Sequence, residues 1–185
     1  MAKTSVSIVK QRQDPLRERY RSAVNEARIT DGARTLNDGA GDPFHGTVVA
    51  GEGHGSPWRF GIHRAVGGDH DLPNPGDMLC AALAGCLDST IRMVADRLDI
   101  RIESLEVAVT AEVDVRGTLL VDRNVAVGFQ SMQCRVRLQP AAGADPAKLQ
   151  VLLAAAEHSC VVLESLRKGV PVETRVGGSL SEAAA

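Results

Sequence analysis

The sequence has few aromatic residues, few cysteines and almost no net charge. Aromatic side chains make up 3% of its 185 residues, so a hydrophobic core must be built mainly from Val, Leu, Ala and Ile. The formal charge of −2 gives no electrostatic case for a nucleic-acid partner or for an anionic membrane surface. The length suits one domain with a real core rather than two.

Targeting and membrane signals are also scarce. The basic N-terminal stretch, residues 1–31, contains no apolar run and does not resemble a secretory signal. No uninterrupted apolar stretch reaches the length of a membrane span. The four cysteines, at positions 80, 86, 134 and 160, include no CxxC pair and are too few for a disulfide scaffold. We therefore expect a cytoplasmic protein with reduced thiols and no membrane partner.

The N-terminal residues are predicted to form an arm outside the main domain. Asp14 suits a helix N-cap and Pro15 the first helical turn, which predicts a helix over 14–29. Residues 30–46 are rich in Gly, Asp, Asn and Pro and are typical of a linker. The chain thus divides into an arm with its linker, a main domain and a disordered tail of small residues, over 1–44, 45–177 and 178–185.

The main domain alternates strand and helix patterns without a βαβ rhythm. We predict, in order, a hairpin, a loop, a buried helix capped by Asn74, two long alternating strands, a second long helix stopped by Gly169, and a last strand. These elements span 46–66, 67–75, 75–98, 103–118, 124–139, 145–168 and 170–176. The order favours the α+β class with antiparallel sheet.

Cys86 and Cys160 are each predicted to lie on an apolar stripe of a helix. The first stripe contains Leu79, Leu83, Cys86, Thr90 and Val94, and the second contains Leu149, Leu153, Ala156, Cys160, Leu163 and Arg167. Both helices are rich in alanine, so they could pack closely and bring the two thiols within reach. The alternative is that both cysteines are small core residues, as most buried cysteines are.

A reactive thiol requires a lowered pKa, which a cation, a helix N-terminus or a hydrogen-bond donor can provide. Neither Cys86 nor Cys160 is predicted to begin a helix. A separate cation is therefore expected if either thiol reacts.

Two segments resemble motifs of the OsmC/Ohr family of thiol-dependent peroxidases. The first is Pro75-Gly-Asp-Met-Leu-Cys-Ala-Ala-Leu-Ala-Gly-Cys86, and the second is Glu157-His-Ser-Cys-Val-Val-Leu-Glu-Ser-Leu-Arg167. The order of elements agrees with the family across roughly residues 45–177. Both motifs in one chain, in the correct order, make a stronger signal than either alone.

The resemblance implies an OsmC-like fold in which antiparallel sheets wrap two long central helices of an intertwined homodimer. It also implies that Cys86 attacks an organic hydroperoxide and becomes a sulfenic acid. Cys160 would then form a disulfide with Cys86, and an external dithiol would reduce it. This chemistry requires no metal and no organic cofactor.

The family also uses an arginine and a carboxylate to activate the thiolate. Ohr-type members carry Glu directly after the motif proline, where this chain has Gly76; Asp77 is the acid expected in OsmC-like members. Asp77 could instead be a first-turn acid that favours the helix dipole. Arg64 is the arginine nearest to the cysteine helix in sequence and is our candidate; the other arginines considered are Arg28, Arg34 and Arg59, and each could equally be solvent-exposed.

The remaining cysteines and histidines carry weaker signals. Cys80 and Cys134 are expected to be packing residues, and His158 a surface or cap residue. A zinc site lacks the CxxC or HxxxH spacing that would support it. The alternative function, from another class, is a non-catalytic OsmC-fold protein that binds a small apolar ligand or senses oxidants through its thiol pair.

Overall fold

Two antiparallel sheets and several helices make up the part of the chain that the computed structural model describes, residues 7–36, 41–51 and 55–175. In chain order these elements are α1 (Ile8–Ser22), β1 (Ala33–Leu36), β2 (His45–Ala50), β3 (Trp58–Gly61), α2 (Pro75–Arg97), β4 (Ile102–Glu112), α3 (Val115–Thr118), β5 (Ser131–Pro140), α4 (Pro146–Ser159) and α5 (Val161–Lys168). Two short 3-10 helices, Val24–Ala27 and Arg64–Val66, lie in the connections. This architecture confirms the predicted α+β class.

The strands form two separate antiparallel sheets. The first has the order β1-β2-β3, and the second consists of β4 and β5. The β4–β5 ladder runs from Ile102 opposite Pro140 to Glu112 opposite Ser131. From Leu105 onward, alternate side chains of β4 are partly buried and the others exposed. The period-two pattern in the sequence therefore places one face of this sheet against the core, as predicted.

The core lies where α2 meets α4 and α5. Leu83, Leu87 and Ile91 recur every fourth residue along α2 and form its buried stripe. The buried cluster is completed by Ala95, Ile100, Leu152, Ala156, Cys160 and Leu163. The stripe passes through Leu87 and Ile91 rather than through Cys86, which lies on its edge, partly buried against the cluster.

The start of α2 is fixed by a capping box, as its sequence predicted. The side chain of Asn74 accepts hydrogen bonds from the amides of Gly76 (2.7 Å) and Asp77 (3.2 Å). The carboxylate of Asp77 in turn accepts from the amide of Asn74 (2.9 Å), and Pro75 needs no partner because it has no N–H. The first motif therefore begins at a rigid point.

The first helix begins earlier than predicted. α1 starts at Ile8 with Ser7 as its N-cap, and Pro15 lies inside it. The predicted start at Asp14 is wrong because a distant residue, Asp96 of α2, supplies a second acceptor for the amides at the α1 N-terminus. Pro15 has no N–H, so the carbonyl one turn earlier receives no helical hydrogen bond from it. The helix is exposed, and water can donate to this carbonyl instead.

The segment predicted as a linker contains an edge strand. β1 pairs with β2 from Ala33 opposite Ala50 to Leu36 opposite Thr47. The polar composition of 30–46 concealed it because the pairing depends on a strand that follows later in the chain. The predicted hairpin of β2 and β3 is confirmed, although it ends at Gly61 and the 3-10 helix Arg64–Val66 follows.

Three predicted strand limits are wrong. β4 ends at Glu112, and Asp114 caps the single turn α3 through the amide of Arg116 (3.1 Å). Residues 124–130 precede β5 without joining it, and residues 170–175 form no strand. At β4 and β5 the alternating pattern extends beyond the residues that pair in the ladder. Residue 176 and the predicted disordered tail lie outside the described residues.

Among the described residues, the three-stranded sheet makes little contact with the helices and with the other sheet. The extensive contacts of α2 are with β4, α4, α5 and α1, whereas β2 contacts chiefly β1 and β3. Backbone hydrogen bonds join β3 to the loop that precedes α2, from the Gly61 amide to the Pro73 carbonyl and from the His70 amide to the Ile62 carbonyl, each 3.1 Å. The sheet is therefore attached mainly through this loop.

Helix α2 is long and apolar enough to cross a membrane by length and composition, and the α4–α5 pair passes the same test as a unit bent by 64°. Asp88 and Arg92 interrupt the apolar run of α2, so the helix agrees with the expectation that no uninterrupted apolar stretch has this length. The core helix of a soluble protein has the same properties, so the observation is weak evidence for a membrane location.

Candidate active site

The structure brings Cys86 and Cys160 together. Cys86 projects from α2, partly buried, and packs against the buried cluster to which Cys160 belongs. Both thiols are free, and Cys160 is completely buried. The Cys86 thiol is close enough to contribute to raising the pKa of Cys160, after the larger effect of burial. The two cysteines that the sequence placed on separate helices are thus neighbours in the fold.

Cys160 begins a helix, contrary to the prediction that it lies within one. The chain bends at this residue, whose backbone is extended (φ −79°, ψ 105°), and Cys160 is the N-cap of α5. Its side chain makes no capping hydrogen bond. The amides of Leu163 and Val162 nevertheless oppose the effect of burial on its pKa, because N-terminal amides of a helix favour a thiolate.

The bend at Cys160 had a faint sequence signal. Residues 147–168 contain no Gly or Pro, so the pattern predicts one continuous helix. The β-branched pair Val161 and Val162 directly after the cysteine is the one local feature that disfavours a continuous helix. The helix N-terminus at the second thiol is therefore the functional feature that sequence analysis missed.

Hydroxyl groups next to Cys86 bond to its backbone. The hydroxyls of Ser89 and Thr90 donate to the Cys86 carbonyl at 3.0 and 2.7 Å. Among the described residues, no Lys or Arg side chain hydrogen-bonds to the Cys86 sulfur. The cation expected for thiolate activation is therefore not supplied within the described part of one chain.

The carboxylate of Asp77 is occupied by the capping box. It accepts hydrogen bonds from the Asn74 amide (2.9 Å) and from the Asn74 side-chain nitrogen (2.7 Å). Asp77 also contributes, after burial, to raising the pKa of the nearby Cys80 thiol. Cys86 lies nine residues further along α2, about 13 Å along the helix axis. The structure does not bring Asp77 to the Cys86–Cys160 pair.

Arg64 lies in the connection between β3 and α2. It is exposed, on the short 3-10 helix, and borders a shallow depression with His63 and His70. The rings of these histidines are tilted by 50°, with centroids 4.2 Å apart. Within one chain it makes no contact that links it to Cys86. Two other candidate arginines, Arg34 and Arg59, lie on β1 and β3 of the three-stranded sheet.

Gly76 occupies a crowded position at the start of α2. A Cβ atom there would lie 2.9 Å from the Asn74 side-chain oxygen and 3.0 Å from the ring of Phe129. The ring of Phe129 therefore fills the space next to the position where Ohr-type proteins carry Glu. A larger side chain at residue 76 would require Phe129 to move.

Two cavities flank α2. One of about 1140 Å³ lies near the helix start, and its lining includes Cys80, Ala84, Val109 and Phe129. Another of about 550 Å³ is bordered by Cys134 together with the Arg167–Glu157 ion pair (2.8 Å). Neither cavity is lined by Cys86 or Cys160. The cysteine pair is therefore reached from outside these cavities in one chain.

The remaining cysteines lie at the two cavities. Burial raises the pKa of Cys80 and of Cys134, although the nearby Arg167 opposes this effect at Cys134. Cys134 is exposed rather than part of the strand core as predicted. In the described residues no three His, Cys, Asp or Glu side chains are arranged to hold a metal ion.

Solved structures of related fold share this arrangement of elements. An organic hydroperoxide resistance protein from Elizabethkingia anophelis matches with a TM-score of 0.58, at 18% identity, over 77% of this chain and 91% of that one. An organic hydroperoxide resistance protein OsmC from Legionella pneumophila matches with a TM-score of 0.57, at 20% identity, over 76% and 90%. An OsmC-like protein of unknown function from Vibrio cholerae matches with a TM-score of 0.60, at 13% identity, over 75% and 94%.

These likenesses confirm the predicted OsmC-like fold. No curated protein matches the sequence significantly. The sequence model of the family described as "OsmC-like protein" matches residues 68–175, which is more than half of the chain and includes both cysteine motifs. With the two motifs on facing helices, and with the fold in agreement, the chain belongs to the OsmC-like protein family.

Proposed function

We propose that this protein protects against peroxides by reducing organic hydroperoxides with the thiol pair Cys86 and Cys160. The observation that carries the proposal is the contact of a partly exposed free thiol with a buried free thiol at a helix N-terminus. Membership of the OsmC-like family and the hydroperoxide resistance proteins of the same fold support it.

In the first step, the Cys86 thiolate attacks one oxygen of the hydroperoxide. The O–O bond breaks, the alcohol leaves after taking up a proton, and Cys86 becomes a sulfenic acid. Cys86 suits this role better than Cys160 because its partial exposure admits both water and substrate. Two adjacent thiolates repel one another, so the resting pair carries at most one charge.

In the second step, the Cys160 thiolate attacks the Cys86 sulfur. The hydroxyl of the sulfenic acid leaves as water, and a Cys86–Cys160 disulfide forms. Burial raises the pKa of the Cys160 thiol, and the amides at the start of α5 oppose this effect and so favour the thiolate that this step requires. An external dithiol then reduces the disulfide by two thiol–disulfide exchanges and restores both thiols.

A second copy of the chain completes the site in this proposal. The three-stranded sheet has little to pack against within one chain, and it carries Arg34 and Arg59. Large apolar side chains remain exposed on several elements, among them Trp58, Val127, Val151 and Val161. An intertwined homodimer would cover this surface and would bring an arginine, with Arg64 as our candidate, to the Cys86 of the partner.

The remaining expectations stay with this proposal. Asp77 would act on the site through the position of α2 and its first turn. The free state of all four cysteines is consistent with a reducing cytoplasm. The mechanism needs no metal or organic cofactor, since both redox groups belong to the chain.

The proposal is tested by mass spectrometry after one equivalent of cumene hydroperoxide. We expect the loss of two hydrogens per chain, mapped to a peptide pair containing Cys86 and Cys160, and recovery on addition of a dithiol. Cys134→Ser is the matched control and should give the same mass change. A disulfide that involves Cys80 or Cys134 instead would overturn the assignment.

The second candidate function is binding of a small apolar ligand without catalysis. The cavity of about 1140 Å³ beside α2 favours it, because its lining is mostly apolar and does not include the cysteine pair. An apolar fluorescent probe that binds equally to the wild type and to the Cys86→Ser variant, without any peroxide consumption by either, would select this alternative.

A further inference from the structure

His45 lies between two carboxylates. Its Nδ1 atom is 2.7 Å from a carboxylate oxygen of Asp42, and its Nε2 atom is 3.0 Å from a carboxylate oxygen of Asp71. A neutral imidazole has only one N–H and can donate to only one of them. Both contacts are satisfied as hydrogen bonds only when the ring is protonated. The geometry therefore requires an imidazolium.

The two carboxylates come from different parts of the fold. Asp42 precedes β2 by a few residues, so its contact with His45 is local. Asp71 belongs to the loop between β3 and α2, so its contact joins the three-stranded sheet to the segment that enters the cysteine helix. Because this sheet has few other contacts with the helices, the His45–Asp71 bond lies at its attachment point.

The neighbouring backbone is shaped to fit the same contact. Gly61 of β3 is buried, and a Cβ atom there would lie 3.1 Å from the Asp71 carboxylate and 3.6 Å from the His45 ring. The Gly61 amide donates to the Pro73 carbonyl at 3.1 Å. The side-chain bond and the backbone bond thus hold the same two segments together.

We propose that His45 is a protonation-dependent clasp that fixes the three-stranded sheet to the loop preceding α2. Protonated His45 bonds to Asp42 and Asp71 at once, and loss of its proton breaks one of the two bonds. Arg59 on β3 is the further charged group that acts on this cluster, through Asp71. The clasp controls how firmly the three-stranded sheet is attached to the loop that precedes α2.

The direction of the pH dependence follows from the three groups. The hydrogen bonds to Asp71 and then to Asp42 raise the pKa of His45 above its ordinary value of 6.5. The Phe44 amide and then His45 lower the pKa of Asp42 below 3.8, and the bond to His45 lowers the pKa of Asp71 below 3.8. The clasp is therefore complete between these ordinary values, opens as pH rises through the raised pKa of His45, and also opens in strong acid as the carboxylates become protonated.

The effect on catalysis rests on the proposed function. If Arg64, in the loop that the clasp joins to the sheet, or an arginine of the sheet reaches the Cys86 of a partner, loosening of this attachment lowers the peroxidase rate at alkaline pH. The clasp itself is independent of any peroxidase activity, so it is tested on the structure and not on turnover.

The first measurement is an NMR titration of the histidine rings in the full-length protein, with His45 assigned by His45→Gln. We expect His45 to titrate above the ordinary histidine value, and Asp71→Asn to move its midpoint down. His158→Gln, on the exposed face of α4, is the control that should leave the His45 titration unchanged. A His45 midpoint that Asp71→Asn does not lower overturns the proposal.

The second measurement is hydrogen–deuterium exchange of the Gly61 and His70 amides, corrected for the intrinsic effect of pH. We expect their protection to fall roughly two- to fivefold through the His45 midpoint, which is the scale of an exposed ion pair. In His45→Gln the protection should be low at every pH, without a step. A step that persists in this variant would show that another group controls the attachment. A protein without peroxidase activity at any pH would refute the proposed function and leave both of these tests intact.

Discussion

The thiol of Cys86 meets that of Cys160 at the point where α4 ends and α5 begins. The bend at Cys160 places this buried cysteine at the N-terminus of α5. Cys86 approaches it from the side of α2. The N-terminus of a helix is a favourable site for anionic sulfur. The two thiols are thus neighbours in different environments, one partly exposed and one buried with amide support.

Truncation of the core between α2 and α4 should destabilise the fold. Leu152 is completely buried, and Leu152→Ala should lower the free energy of unfolding by about 2–5 kcal/mol, because the cavity adds to the lost apolar contact. Val151, the preceding residue, is 55% exposed, so Val151→Ala is the matched control and should change little. Urea denaturation of both variants measures the difference, and equal losses would contradict this position of the core.

Substitutions in the capping box can distinguish a structural role of Asp77 from a role in the active site. Asn74→Ala removes the acceptor for two amides and should cost about 0.5–2 kcal/mol of stability. Asp77→Ala should cost a similar amount, since it removes the reciprocal bond. If Asp77 also supports the reaction, Asp77→Ala lowers kcat/KM for an organic hydroperoxide more than Asn74→Ala does. Equal kcat/KM values in the two variants would show that Asp77 acts only in the helix cap.

The contact of Gly76 with Phe129 predicts a compensating pair of substitutions. Gly76→Glu should destabilise the protein, because its Cβ would approach the Phe129 ring to 3.0 Å. Phe129→Ala opens this space and should make Gly76→Glu less costly in the double variant than in the single one. A double-mutant cycle of thermal melts measures the coupling, and additive effects would contradict the contact.

Loss of the Asp96 charge should weaken the attachment of the N-terminus of α1, while Arg97 still bonds to Asp14 further along the helix. The Ser7 hydroxyl and then the Val9 amide lower the pKa of Asp96 by hydrogen bonding to its carboxylate. The attachment is therefore present above the ordinary value of 3.8 and is lost as pH falls through the lowered pKa. Asp96→Asn should expose α1 to hydrogen–deuterium exchange at neutral pH. Asp99→Asn, at the exposed Lys10 pair, is the control and should leave most of the α1 protection.

The sequence predicted most of the domain because its signals are local. Asn74 and Pro75 mark the start of α2, and the alternation of β4 is readable without knowledge of its partner. The errors occur where distant residues decide. α1 begins at Ile8 because Asp96 helps to cap it, and β1 forms because β2 is available to pair with it.

The candidate site was predictable in part for the same reason. Apolar stripes indicated that Cys86 and Cys160 could meet. No Gly or Pro near Cys160 indicated the bend that makes this residue an N-cap. The crowding at Gly76 could not be predicted, because Phe129 reaches it from the irregular segment before β5. An activating arginine stays a prediction, since the described part of one chain does not bring one to Cys86.

Stoichiometric consumption of an organic hydroperoxide by single-cysteine variants tests the central claim most directly. We predict that the wild type consumes one peroxide for each two thiols lost, and that Cys86→Ser consumes none. Cys160→Ser should consume one peroxide per chain and accumulate a Cys86 sulfenic acid that dimedone traps, without turnover by a dithiol. Reduction of the peroxide by Cys86→Ser at the wild-type rate would contradict the account.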